Sequence, residues 1–169
     1  MNFIDEAYLE VRAGDGGSGA SSFRREKYIP FGGPDGGDGG KGGNIFFKVN
    51  QNTNTLIDFQ NKKIFEAKNG QKGSGKNKSG ADGDDLVIHV PKGTVIYDNL
   101  TNEELMDCTD ENFEYLIVKG GEGGHGNARF KSATNRAPRK STPGFKGEVR
   151  SLRLELKSLA DVGLSLIHI

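Results

Sequence analysis

The sequence predicts an all-β domain of short, mostly antiparallel strands, on three observations. Apolar residues alternate with polar ones in brief runs at the period of two that marks a half-buried strand. Those runs are separated by glycine-rich stretches. No window sustains an amphipathic helix before the short region 159–161, which also fits a strand. At 169 residues the chain is long enough for one ordinary domain. Its 26 glycines are about twice the usual ~7%.

The first strand is read from Ala7, Leu9 and Val11, which alternate with Tyr8, Glu10 and Arg12. Similar signals occur at 45–49, 55–59, 64–68, 86–90, 94–97, 103–108, 115–119 and 149–156. In the last, Leu152, Leu154 and Leu156 share one face, and Arg153, Glu155 and Lys157 the other.

Three glycine-rich stretches, 14–43, 70–83 and 120–126, lie between strands. In the first, Gly33, Gly36, Gly39 and Gly42 recur every third residue, as do Gly37, Gly40 and Gly43. Three is the period of the polyproline-II helix, which has no internal hydrogen bonds. Its backbone groups must therefore find partners on adjacent chains or in water. Two glycine faces allow close backbone contact with neighbouring extended segments. The remaining register, Asp35, Asp38 and Lys41, is expected to point outward.

Several function classes are excluded. The longest apolar stretches are triplets, far short of the ~20 residues of a membrane span. Asp5 and Glu6 stand where a signal peptide would be basic, and Cys108 is alone, so a reducing cytoplasm is the expected location. The GxGxxG spacings at 14–19 and 121–126 lack the helix that a dinucleotide site requires. GQKGSGKN at 70–77 approaches a phosphate loop, but Asn77 replaces the magnesium-binding hydroxyl and no helix follows. Asp82, Asp84 and Asp85 read as a tight turn rather than a calcium loop. His89, His125 and His168 are the three histidines, and none has a nucleophile elbow beside it. No catalytic, cofactor-binding or metal residue is assigned.

Net charge is zero, but it is unevenly distributed. Segment 98–115 carries seven acids and no base, whereas 119–157 carries ten bases against Glu122, Glu148 and Glu155. The basic part interleaves Arg129, Lys131, Arg136, Arg139 and Lys140 with Phe130, Asn127 and Asn135, a mixture suited to phosphates and 2′-hydroxyls of folded RNA. The candidate RNA-binding residues are Arg24, Arg25 and Lys27 near the first glycine stretch, and Lys72, Lys76 and Lys78 in the second. After the third come His125, Arg129, Lys131, Arg136, Arg139 and Lys140. No DNA partner is expected.

The motifs FRREKYIPFGGPDGGDGGKGGNIFF at 23–47, GADGDDLVIHVPKGTVIYD at 80–98 and KGGEGGHGNARFKSATNRAPRKSTPGFKGEVRSLRLELKSLADVGL at 119–164 together resemble the amino-terminal domain of the Obg family of bacterial GTPases. The resemblance covers essentially all of 1–164. It implies a β-barrel-like base from which glycine-rich, left-handed polyproline-type helices project. It also implies a role in assembly of the large (50S) ribosomal subunit and in nucleotide-linked growth control, with ribosomal RNA as partner. On this resemblance, 1–157 is the glycine-rich domain and 158–164 begins a GTPase domain. Residues 165–169 depart from the family pattern, which continues into a phosphate loop, and are expected to be a non-native tail. GTP and Mg²⁺ then belong to the parent GTPase domain, and this chain is expected not to hydrolyse GTP. The alternative is a regulatory domain whose chief partner is the adjoining GTPase domain.

Overall fold

The computed structural model describes residues 6–25 and 32–157. Lys27 and the expected 158–164 and 165–169 segments lie outside the described residues, as does region 159–161.

Eight strands form: β1 Glu6–Arg12, β2 Ile45–Val49, β3 Ile64–Glu66, β4 Leu86–Val90, β5 Thr94–Asp98, β6 Glu104–Cys108, β7 Glu114–Val118 and β8 Val149–Leu156. A five-stranded sheet runs in the order β3-β1-β8-β5-β6 and a three-stranded sheet in the order β4-β2-β7. Pairing is antiparallel except for β1 with β3 and β2 with β4. The chain is all-β, as the alternation predicts. Neither sheet closes into a barrel; the base is two open sheets. They share one core, to which β1 gives Ala7, Leu9 and Val11, β2 gives Ile45, Phe47 and Val49, and β8 gives Leu152 and Leu154. Each large side chain fully buried there stabilises the fold by about 1.5–3 kcal/mol.

One expected strand is absent. In 55–59 the chain instead makes a 3-10 turn at Ile57–Phe59. Leu56 and Phe59 are both buried, and their spacing of three suits a turn that faces the core once per revolution. The neighbouring expectation shortens to β3 because the chain from Ala67 onward leaves the sheet to join the glycine segments.

Three excursions leave the same end of the sheets. The first connects β1 to β2, the second β3 to β4, and the third β7 to β8. Each travels out as an extended segment, turns, and returns as another, which gives six segments: 13–20, 36–43, 68–74, 77–83, 119–127 and 142–148. Their hydrogen bonds repeat every three residues. Gly14, Gly17 and Ala20 donate to Gly43, Gly40 and Gly37, each at 2.9 Å, while Gly37, Gly40 and Gly43 donate to Ser74, Gln71 and Lys68 at 2.8–3.0 Å. Gly121, Gly124 and Asn127 donate to Gly14, Gly17 and Ala20, and Gly80 and Gly83 to Asp38 and Lys41. This three-residue step, with φ −73° and ψ 160° at Gly126, is that of polyproline II. At ~3.1 Å per residue the shaft is roughly 20–25 Å long.

Steric room, not backbone freedom, explains the glycines. Among those described, Gly93 alone has a positive φ, +89°, in the turn before β5. All except Gly33, Gly75 and Gly93 would place a Cβ within 3 Å of a neighbouring backbone atom. The sixth segment, 142–148, was hidden in the sequence within the basic region. Gly144 and Gly147 are its signal, one period apart, and their Cβ positions would strike Gly16 O at 2.0 Å and Ala13 O at 2.5 Å.

Candidate nucleic-acid interface

The far end of the shaft is built from three pieces. The first is a hairpin in which Phe23 bridges Pro34, with Arg24 N–H donating to Gly33 O at 2.9 Å and Asp35 N–H to Ser22 O at 3.0 Å. The second is the tight turn 74–78, where Lys76 and Asn77 adopt left-handed φ of 61° and 56°. Asp35 holds that turn against the hairpin. Its Oδ2 accepts from Lys76 N–H at 3.0 Å and its carbonyl from Asn77 N–H at 2.7 Å. The third is the loop after segment 119–127, which opens with a 3-10 turn at Asn127–Phe130.

Asn127 joins the first and third pieces. It is fully buried; its Oδ1 accepts from Gly36 N–H at 2.8 Å, and its amide donates to Ser22 O at 2.8 Å and Pro138 O at 3.1 Å. Ser21 Oγ adds a bond to Arg139 O at 2.8 Å. The expectation that the third register points outward fails at Asp35, which is only 8% exposed. A shaft whose N–H groups need acceptors turns its carboxylates and amides inward. Asp38 Oδ1 accepts from Gly126 N–H, Asp15 Oδ1 from Gly147 N–H and Asn44 Oδ1 from Gly120 N–H. Asp82 and Asp85 likewise accept from the N–H groups of Lys41 and Asn44.

Most expected contact residues converge here. Arg24, Arg25, Lys76, Lys78, Arg129, Lys131, Arg136, Arg139 and Lys140 lie on the three end pieces, all exposed, with Asp35 the one carboxylate among the described residues of those pieces. Lys72 stands lower, on segment 68–74, and His125 just below the last turn. Phe130 is flanked by His125, ring centroids 6.4 Å apart, and by Lys140, whose Nζ lies 5.3 Å from the ring centre. Arg129 differs from the expectation of a free contact, because its Nε donates to Asp38 Oδ2 at 2.6 Å. Burial alone would raise the Asp38 carboxyl pKa. The Gly126 N–H, the Arg129 guanidinium and the charge of His125 outweigh it and hold the group below the usual carboxylate value.

Of the remaining cations of 119–157, Lys119 and Lys146 stand on the shaft segments and three serve the base. Arg150 faces Asp98, Arg153 pairs with Glu155, and Lys157 with Asp107. Two acids of segment 98–115, Asp98 and Asp107, are thus matched by cations on or just after β8, while the basic side chains of the shaft end gather apart from that segment.

The nucleotide-like motifs do not bind phosphate in this arrangement. Gly14, Gly16, Gly17 and Gly19 direct their N–H groups to Gly43, Phe145, Gly40 and Thr142, and Gly70, Gln71, Gly73 and Ser74 direct theirs to Asp15, Ala81, Ser18 and Lys78. A phosphate cradle needs several amides aimed at one anion, and here each is engaged by a different segment. Cys108 is buried, and that burial, with Asp107 beside it, pushes its thiol up to about 12, which disfavours the thiolate. Among the described residues no helix is long and apolar enough to cross a membrane.

Comparison with known proteins agrees with this architecture. The family model described as GTP1/OBG matches residues 4–158. The chain is 56% identical over 164 residues to a protein named GTPase Obg from Psychrobacter sp. (strain PRwf-1), an alignment covering 97% of this chain and 41% of that relative. It therefore spans less than half the length of the relative it matches. With the family model reaching across both sheets and all six glycine segments, the chain belongs to the GTP1/OBG family.

Proposed function

We propose that this chain is the ribosomal-RNA-docking domain of an Obg-type GTPase, acting in the cytoplasm on the large ribosomal subunit during its assembly. The parent's GTP and Mg²⁺ would be held by a separate GTPase domain, because the amides of this domain are engaged within the shaft. The observation that carries the reading is the gathering, among the described residues, of nine basic side chains against Asp35 and the Asp38 that pairs with Arg129, at the end of a shaft six backbones thick. Phosphate contacts from Arg and Lys position a protein on RNA without reading sequence. A shaft in which glycine backbones pack against carbonyls, with only short Asp and Asn side chains turned inward, is narrow enough to enter an RNA cavity, and its wide base stops it.

Sedimentation with purified large subunits at graded salt tests the reading. Replacing Arg136, Arg139 and Lys140 together by Ala is expected to weaken binding about 10–100-fold and to flatten the salt slope by roughly 2–3. Absence of binding, or an unchanged slope in the variant, overturns it.

A second reading, a regulatory contact with the GTPase domain, draws support from one observation. Lys157 lies beside the acidic β6, with Nζ 3.6 Å from Asp107 Oδ2, which brings the end of β8 against the acidic segment. It predicts a change in nucleotide exchange by the parent when 1–157 is removed; identical exchange rates exclude it.

A further inference from the structure

The hairpin and the turn 74–78 flank a half-open cavity of about 490 Å³ between Ser22, Phe23, Arg25, Asp35, Gly75 and Asn77. Its size falls in the range of small-ligand sites. At its back, Asp35 has one oxygen, Oδ2, held by Lys76 N–H, while the other, Oδ1, is buried with no hydrogen-bond partner. A buried carboxylate oxygen without a donor is costly, and a donor entering the cavity would relieve it. Gly75 keeps the space open, since a Cβ there would stand 2.9 Å from Ser22 Oγ and 3.9 Å from Asp35 Oδ1.

The chemistry of the walls selects the class of ligand. A bare cation is disfavoured by Arg25 and by the neighbouring Arg24 and Lys76, so the ligand carries negative charge together with an N–H donor edge. Phe23, half-buried in the wall, offers an aromatic face. Phosphate, donor edge and flat ring occur together in a nucleotide. We propose that this cavity receives a single unstacked nucleotide of RNA, its base presenting N–H donors to Asp35 Oδ1 with the Ser22 side chain turned aside, its ring against Phe23 and its phosphate toward Arg25. Guanine fits best, with adjacent N1–H and N2–H donors. Uracil fits worst, because its one N–H lies between two carbonyls that the carboxylate repels. The inference rests on the RNA-docking reading and adds a base preference to it, where phosphate contacts alone give none.

Fluorescence anisotropy with two single-stranded RNA heptamers, all-uridine and uridine with one central guanosine, tests it on the intact chain. The guanosine heptamer is expected to bind about tenfold more tightly. Asp35→Asn, which keeps the acceptor for Lys76 N–H but turns an amide donor into the cavity, is expected to erase that preference while retaining the salt-dependent component. Gly75→Ala, which leaves Asp35 in place, is expected to reduce the preference by narrowing the cavity, so the result does not depend on Asp35→Asn folding. Equal affinity for the two heptamers in the parent sequence, or a preference that survives both substitutions, overturns the pocket. Free guanosine monophosphate is expected to compete only weakly; competition as tight as the heptamer overturns RNA as the source. Equal heptamer affinities beside intact large-subunit binding sink the pocket alone, whereas loss of all RNA and subunit binding sinks the docking reading with it.

Discussion

Gly40→Ala is expected to destabilise the domain by about 3–5 kcal/mol, a large share of a typical ~5–15 kcal/mol total, as read from urea denaturation. The new Cβ would lie 2.1 Å from Ala81 O and 2.5 Å from Ala81 C. Neither atom can retreat cheaply. Segment 77–83 is bonded through Gly80 and Gly83 to Asp38 and Lys41, and Gln71 donates to Ala81 O at 2.9 Å. Opening that gap breaks bonds on two sides of the intruding methyl. Gly33→Ala is the matched control, because its Cβ would meet only Lys131 Nζ at 3.7 Å, and it is expected to change stability by less than ~0.5 kcal/mol. Equal effects from the two substitutions would contradict a steric origin for the glycine excess.

Asn127→Asp is expected to cost about 3–5 kcal/mol at neutral pH. One carboxylate oxygen can keep the bond from Gly36 N–H, but the other faces the carbonyls of Ser22 and Pro138 in a fully buried site. Only the protonated form has a hydrogen to offer them, so the folded-state pKa of the introduced acid rises above its unfolded value. The unfolded chain then releases its proton first, and the deficit grows as pH climbs through the ordinary carboxylate range. Thermal melting at pH 4 and pH 7 checks the sign; a variant no worse at pH 7 than at pH 4 contradicts it. Asn127→Ala removes the repulsion but takes the partner from Gly36 N–H and Pro138 O, while Ser22 O keeps the bond from Asp35 N–H, and its loss is expected to be independent of pH.

Particular residues show how far the sequence reached. The alternation at Leu152, Leu154 and Leu156 located β8 because burial on one face leaves a period of two. The three-residue recurrence from Gly33 to Gly43 located the shaft because polyproline II repeats at that interval. Segment 142–148 escaped notice because Gly144 and Gly147 make one period among charges that drew attention to phosphate. Asp35 was misplaced for a different reason. Local pattern shows that a register is polar, but whether it faces water or an orphan N–H depends on a turn forty residues away. The same holds for Arg129, whose partner Asp38 is remote in sequence. The cluster of bases at one end was legible only in part: the runs were visible, but their convergence required knowing that three excursions leave the same end of the sheets.

A shaft made almost wholly of packed backbone has a thermal consequence. Unfolding the two-sheet base exposes Phe47, Ile45, Leu152 and their neighbours, and apolar exposure raises heat capacity by about 0.45 cal/mol/K per Å². Unfolding the shaft exposes mainly peptide groups, which lower it by about 0.26 cal/mol/K per Å². The two halves of the molecule thus pull the heat-capacity increment in opposite directions. The stability curve is correspondingly flatter than that of an apolar-cored domain of equal length, and the glycine-rich end loses less of its hold on cooling than the base that carries it.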